Sequence, residues 1–212
     1  MAEELGKIEK PDIGSYTNNK KLFLVPLIYS GEGSPPEYME LFDLYWQQVA
    51  DHVRNLESRM GKINKIYHES LSVGGDSDLK ILEKLNARSH QLVMDKMKAD
   101  ITLEVIEDKN LVEECVDWER CLMMGLISET AMRKIYDFFL EATKKRYEHI
   151  SKRIDETLKP GEQALLLIRE GHMVQFSSDI DVFHVSPPVL NDIRRWLRDH
   201  KPSKDAEQSD QA

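Results

Sequence analysis

The chain has 212 residues and a formal net charge of −9, with 41% of its residues apolar and 32% charged, the composition of an ordinary globular protein. A chain of that length builds one good core, so a single domain is expected rather than several. The acidic balance argues against non-specific binding to nucleic acid or an anionic membrane, and no stretch reaches the roughly 20 apolar residues of a membrane span.

Residues 1–20 read as a polar arm without the apolar run of a secretory signal, and KPSKDAEQSDQA (201–212) as a solvated tail. The domain is therefore expected over 21–200. LFLVPLI (22–28) is the first strand candidate, and Pro26 removes a ladder donor, which predicts an edge position or a bend. In SGEGSPPE, Ser34 is placed to cap the next helix, with Pro35 at its first position and Glu37 completing a capping box. Leu41, Tyr45, Val49, Val53, Leu56 and Met60 then recur at helical spacing until Gly61.

INKIYHESL (63–71) reads as a second strand, and Leu79, Leu82, Leu85, Val93 and Met97 as a less regular helix. ITLEVI (101–106) is a third strand. A short helix around Cys115, Trp118 and Leu122 follows, and a long one runs from Ala131 to Leu158, stopped at Lys159-Pro160-Gly161. Trp118 and Met123-Met124 are expected in the core, in keeping with their apolar bulk. ALLLI (164–168) is the most apolar strand and is expected at the centre of the sheet. DVFHV (181–185) is the last strand, and Ser186-Pro187-Pro188 opens the final helix. Cys115 and Cys121 lack CxxC or zinc-ligand spacing and read as reduced thiols of a cytoplasmic protein.

Strands separated by helices predict an α/β domain with a largely parallel sheet. The sheet is assembled from both ends of the chain, with a helix-rich insertion over about 77–159. HMVQF (172–176) pairing back on ALLLI as a hairpin across Glu170-Gly171 would make the sheet mixed.

In open α/β sheets ligands bind at the C-terminal edge of the strands. Here those ends carry Tyr29, Ser30 and Glu32; His68 and Glu69; Glu107, Asp108 and Lys109; and Arg169, Glu170 and His172. Carboxylates with imidazole suit a divalent metal such as Zn²⁺ or Mn²⁺, or general acid–base work near neutral pH. Polar residues also belong at exposed strand ends in any fold, and a surface pair such as Arg169 with Glu170 or Glu69 contributes roughly 0–1 kcal/mol. Burial separates the two readings, because each unpaired buried ion costs several kcal/mol. No phosphate loop, dinucleotide fingerprint, nucleophile elbow or HExxH is present.

The order of these pieces resembles the TraB/GumN/Tiki/ChaN-like superfamily. HVRNLESRMGKINKIYHESL resembles its helix and glutamate-bearing strand, with Glu69 as the glutamate. ADITLEVIEDKNLVEECVDWER resembles its Asp-Arg segment, with Asp108-Lys109 in that place. KKRYEHISKRIDETLKPGEQALLLIREGH resembles its closing unit, with Arg146 on the helix and His172 as the final histidine. The first strand ends Ile28-Tyr29-Ser30-Gly31-Glu32-Gly33, without the family's histidine, and Gly171 directly precedes His172. The resemblance implies a metal held by Glu69 and His172, with Glu32 as a substitute oxygen ligand.

Two functions fit this reading. One is a metal-dependent hydrolase of peptide, amide or ester bonds, in which Glu69, Asp108 and His172 act on a metal or polarised water and Arg146, Arg169 and Lys109 meet an anionic small molecule or peptide. The other is a non-catalytic ligand-binding or assembly protein that keeps the fold without the metal, with the amphipathic helices 37–60 and 128–158 offering a face for self-association.

Overall fold

The computed structural model describes residues 19–31, 33–99 and 101–200, so most of both terminal arms and Glu32 lie outside the described residues. Five strands, β1 (Lys20–Pro26), β2 (Lys65–His68), β3 (Thr102–Glu104), β4 (Gln163–Ile168) and β5 (Ile180–His184), form one sheet in the order β3-β2-β4-β1-β5. Every pairing is parallel. The chain is thus an α/β protein whose sheet joins segments from both ends, as the alternation of strands and helices predicts.

β4 is central and all six of its residues are buried. Its alternate side chains feed two cores, as the period of a strand requires. Phe23, Val25, Ile66, Leu165 and Leu167 pack on one face against α1 (Pro36–Met60), α2 (Asp76–Leu85), α3 (Ala87–Met97) and α6 (Val189–Asp199). Leu22, Leu24, Tyr67, Leu166 and Ile168 pack on the other face against Tyr147, Ile150, Ile154 and Leu158 of the segment formed by α5 (Glu129–Thr157) and its end. α4 (Lys109–Met123) precedes α5 and packs along it as an antiparallel hairpin.

Several local expectations are corrected. β1 is internal rather than at an edge. Leu27 N–H bonds Ile168 on the β4 side, while Leu24 accepts from Val185 on the β5 side, so alternation points the Pro26 nitrogen toward β5. Paired β5 residues stop at His184, opposite Leu24, and no ladder donor is lost. Ser34 does not cap α1: its Oγ accepts from Gly31 N–H at 2.9 Å, and the helix starts after Pro35 without a side-chain cap. Ser186 likewise leaves α6 to start from Pro188. The irregular helix over 79–97 is two helices broken at Asn86, whose side chain caps α3 through Ser89 N–H and donates to the Ile28 carbonyl at 2.7 Å.

HMVQF forms no strand, so the mixed-sheet alternative fails. Gly171 does turn the chain, at φ +77°, a conformation that side chains with Cβ rarely take. Met123 and Met124 are largely exposed at the tip of the α4–α5 hairpin rather than in the core, and Trp118 is only half-buried, stacked on Phe138. Helical spacing reports a shared face, and here that face lies between two helices that run beyond the sheet.

Candidate functional site

Parallel pairing brings the C-terminal ends of β1, β2, β3 and β4 to one edge, beside α5 on one face of the sheet. At its centre is a chain of charges. Arg146, one turn before the core residue Ile150, is 7% exposed and meets Glu107, which is 3% exposed and follows β3. Its Nε donates to Glu107 Oε1 at 3.0 Å and Oε2 at 2.9 Å, and Nη2 donates to Oε1 as well. Nη2 also stands 3.8 Å from Oε2 of Glu69, which is 4% exposed just beyond β2. Glu69 in turn accepts from Arg169 Nε at 3.2 Å and from the Tyr29 hydroxyl at 3.4 Å. The Tyr29 oxygen lies 3.2 Å from Ser70 Oγ.

Two carboxylates buried this deeply are tolerated because two guanidinium groups match them. Burial opposes the charge of both arginines, yet the neighbouring glutamates outweigh it and hold Arg146 and Arg169 above the ordinary arginine range. Burial, aided by Glu69, pushes the Tyr29 phenol up to about 12, so it stays a neutral donor. Tyr29, Glu69, Ser70, Arg146 and Arg169 line an open cleft of about 330 Å³ closed on its far side by the α4–α5 hairpin, including Cys115. Cys115 and Cys121 are both unpaired, and burial pushes the Cys115 thiol up. It is a poor nucleophile.

The other expected residues are elsewhere. Asp108 Oδ1 accepts from the backbone N–H groups of Asn110 at 2.9 Å and Leu111 at 3.1 Å, which makes it the N-cap of α4. Lys109 is exposed, 3.6 Å from Glu113 one turn on. His172 is half-buried against Phe176 at 6.0 Å between ring centroids, and does not line the cleft. Its Nδ1 is buried without a partner among the described residues, and burial lowers its pKa. Asp108→Ala is expected to cost about 1 kcal/mol of stability, the usual loss for a cap, and to leave ligand binding at the cleft unchanged. Urea unfolding beside a binding titration checks both halves.

Glu107 is the residue that sequence reasoning passed over in favour of its neighbour. The available signal was Asp108 itself: an aspartate directly before a helical run is a capping residue, which leaves Glu107 for the site.

The described donor set does not fit a divalent metal. Among the described residues no three His, Cys, Asp or Glu side chains gather as ligands. The carboxylate expected to bind one, Glu69, is already enclosed by two cations and a phenol. Besides Glu69 and the Glu119 carboxylate, the cleft presents hydrogen-bond donors. Arg169 lines the cleft with a half-exposed side chain, and its Nε alone is engaged among the described residues, which leaves both terminal nitrogens without a partner there. No helix among the described residues is long and apolar enough to cross a membrane. Comparison with protein-family models, with curated proteins and with solved structures found no significant match.

Proposed function

We propose that this chain is a TraB/Tiki-like α/β protein whose strand-end cleft binds a small anionic molecule without a metal, the non-catalytic member of the two functions its sequence suggests. The observation that carries the reading is Arg169. Glu69 fixes its Nε, and its two terminal nitrogens remain free of partners among the described residues. A carboxylate or phosphate accepts two parallel N–H bonds from such a fork, and charge-assisted bonds of this kind are roughly twice as strong as neutral ones. The Ser70 hydroxyl stands beside it, hydrogen-bonded to Tyr29, whose own proton goes to Glu69. A volume of about 330 Å³ suits a small metabolite rather than a polymer.

In this arrangement Arg146 is a positioning residue. Its guanidinium is spent on Glu107, and it supports Glu69, which aims Arg169.

Calorimetric titration with inorganic phosphate and with succinate tests the proposal. The native chain is expected to bind at least one of them with one-to-one stoichiometry. Arg169→Ala should weaken that binding at least tenfold, and Arg169→Lys, which keeps the charge but loses the fork, should fall between. Equal affinity in the native chain and Arg169→Ala sinks the proposal.

A further inference from the structure

The α4–α5 hairpin has more apolar surface than the cleft uses. Among the described residues, α4 is the helix that α5 packs on most extensively. Beyond the sheet, Met123, Met124 and Ile127 at its tip and Met132, Tyr136 and Leu140 along α5 are all exposed, Ile127 fully so. Spaced four apart, Met132, Tyr136 and Leu140 form one ridge of the helix. That ridge runs into a groove of about 720 Å³ between α5 and the segment after Gly171, whose apolar lining is Leu140, Tyr147, Met173 and Phe176.

We propose that this surface is a two-fold interface between copies of the chain. The α5 helices cross antiparallel at Tyr136, and each hairpin tip enters the other copy's groove. A ridge that must match itself is the requirement of a two-fold contact, in which residue i meets j and j meets i. The lengths agree. Glu129, where α5 starts, lies seven residues from Tyr136, about 10 Å at 1.5 Å per residue, with Ile127 just beyond it, and the Leu140–Tyr147 groove lies about 6–17 Å on the other side.

The charges agree as well. Antiparallel crossing at Tyr136 sets Glu129 of one copy beside Lys144 of the other, while Met132 meets Leu140. Both charged residues are exposed. The area is also sufficient. At about 200 Å² for each fully exposed large side chain, the six apolar residues offer roughly 800 Å², the contribution of one partner to an interface of standard size.

Sedimentation equilibrium on the full chain tests this. The native protein should show twice its 24.6 kDa mass at tens of micromolar, within the range such areas support. Tyr136→Glu should weaken association at least tenfold with an unchanged circular-dichroism spectrum. Glu129→Lys and Lys144→Glu should each weaken it, and the two together in one chain should restore it. A monomer up to roughly 100 µM overturns the proposal, as does a dimer indifferent to Tyr136→Glu and to the charge exchange. A monomer that binds phosphatidylcholine or phosphatidylglycerol vesicles through Met123 and Met124 overturns it in favour of a lipid surface.

Discussion

Arg146→Ala is expected to lower the free energy of unfolding by about 3–5 kcal/mol, the usual penalty for removing one partner of a buried ion pair. Domains of this size are typically stable by only about 5–15 kcal/mol, so the loss should appear as a large shift of the urea midpoint. The cause is the carboxylates left behind. Glu107 loses all three of its guanidinium bonds, and Glu69 loses the cation 3.8 Å away. Neither can turn to water, since both are almost wholly buried.

Burial already pushes the Glu107 carboxyl up against the pull of Arg146, so in the variant its pKa should move further in the same direction. Replacing both partners, Arg146→Met with Glu107→Met, should recover much of the loss, because the desolvation cost leaves with the charges. A single Arg146→Ala variant within 1 kcal/mol of the native protein contradicts this account of the site.

Acid should destabilise the fold through His68, well before any general loss of ion pairs. The ring is fully buried at the end of β2. Its Nδ1 accepts from Ser70 N–H at 3.1 Å, and its Nε2 lies 3.3 Å from Ser89 Oγ, which itself donates to the Asn86 carbonyl. That network requires the neutral ring with its proton on Nε2; a second proton at Nδ1 would face the Ser70 N–H. Burial accordingly lowers the His68 pKa to about 3.

The unfolded chain, with an ordinary histidine pKa near 6.5, binds this proton between about pH 6.5 and 3 while the folded chain does not. Stability therefore rises with pH across that window and is level with respect to this group above it. At about 1.4 kcal/mol per pKa unit the change amounts to several kcal/mol. Glu107 works in the opposite sense over part of the range, so the measurement is a comparison. The slope of unfolding free energy between pH 6.5 and 4 should be markedly flatter in His68→Gln, and equal slopes would falsify the assignment.

The fold was legible where physics leaves one solution. A run as apolar as ALLLI must be covered on both faces, and β4 is the middle strand. Alternating strands and helices forced parallel pairing, which brought Glu69 and Arg169 together from 100 residues apart. Composition could not say how far a helical hairpin projects, so Met123 and Met124 read as core. Serine–proline starts were ambiguous for a related reason: proline presets the first turn by itself, and Ser34 was free to brace the preceding loop.

At the site, the residue types were readable but their roles were not. Arg146 and Arg169 look alike in the chain, yet burial turns one into the counter-ion of Glu107 and leaves the other facing the opening. Asp108 and His172, chosen as chemistry-bearing residues, sit at a helix cap and under Phe176.

A calorimetric titration of the native chain with phosphate or succinate, performed in EDTA and again with Mn²⁺ or Zn²⁺ added, tests the central claim most directly. The proposed anion cleft predicts one-to-one binding of equal affinity in both conditions, weakening as salt is raised. Binding that appears only with the metal present, or none in either condition, contradicts it.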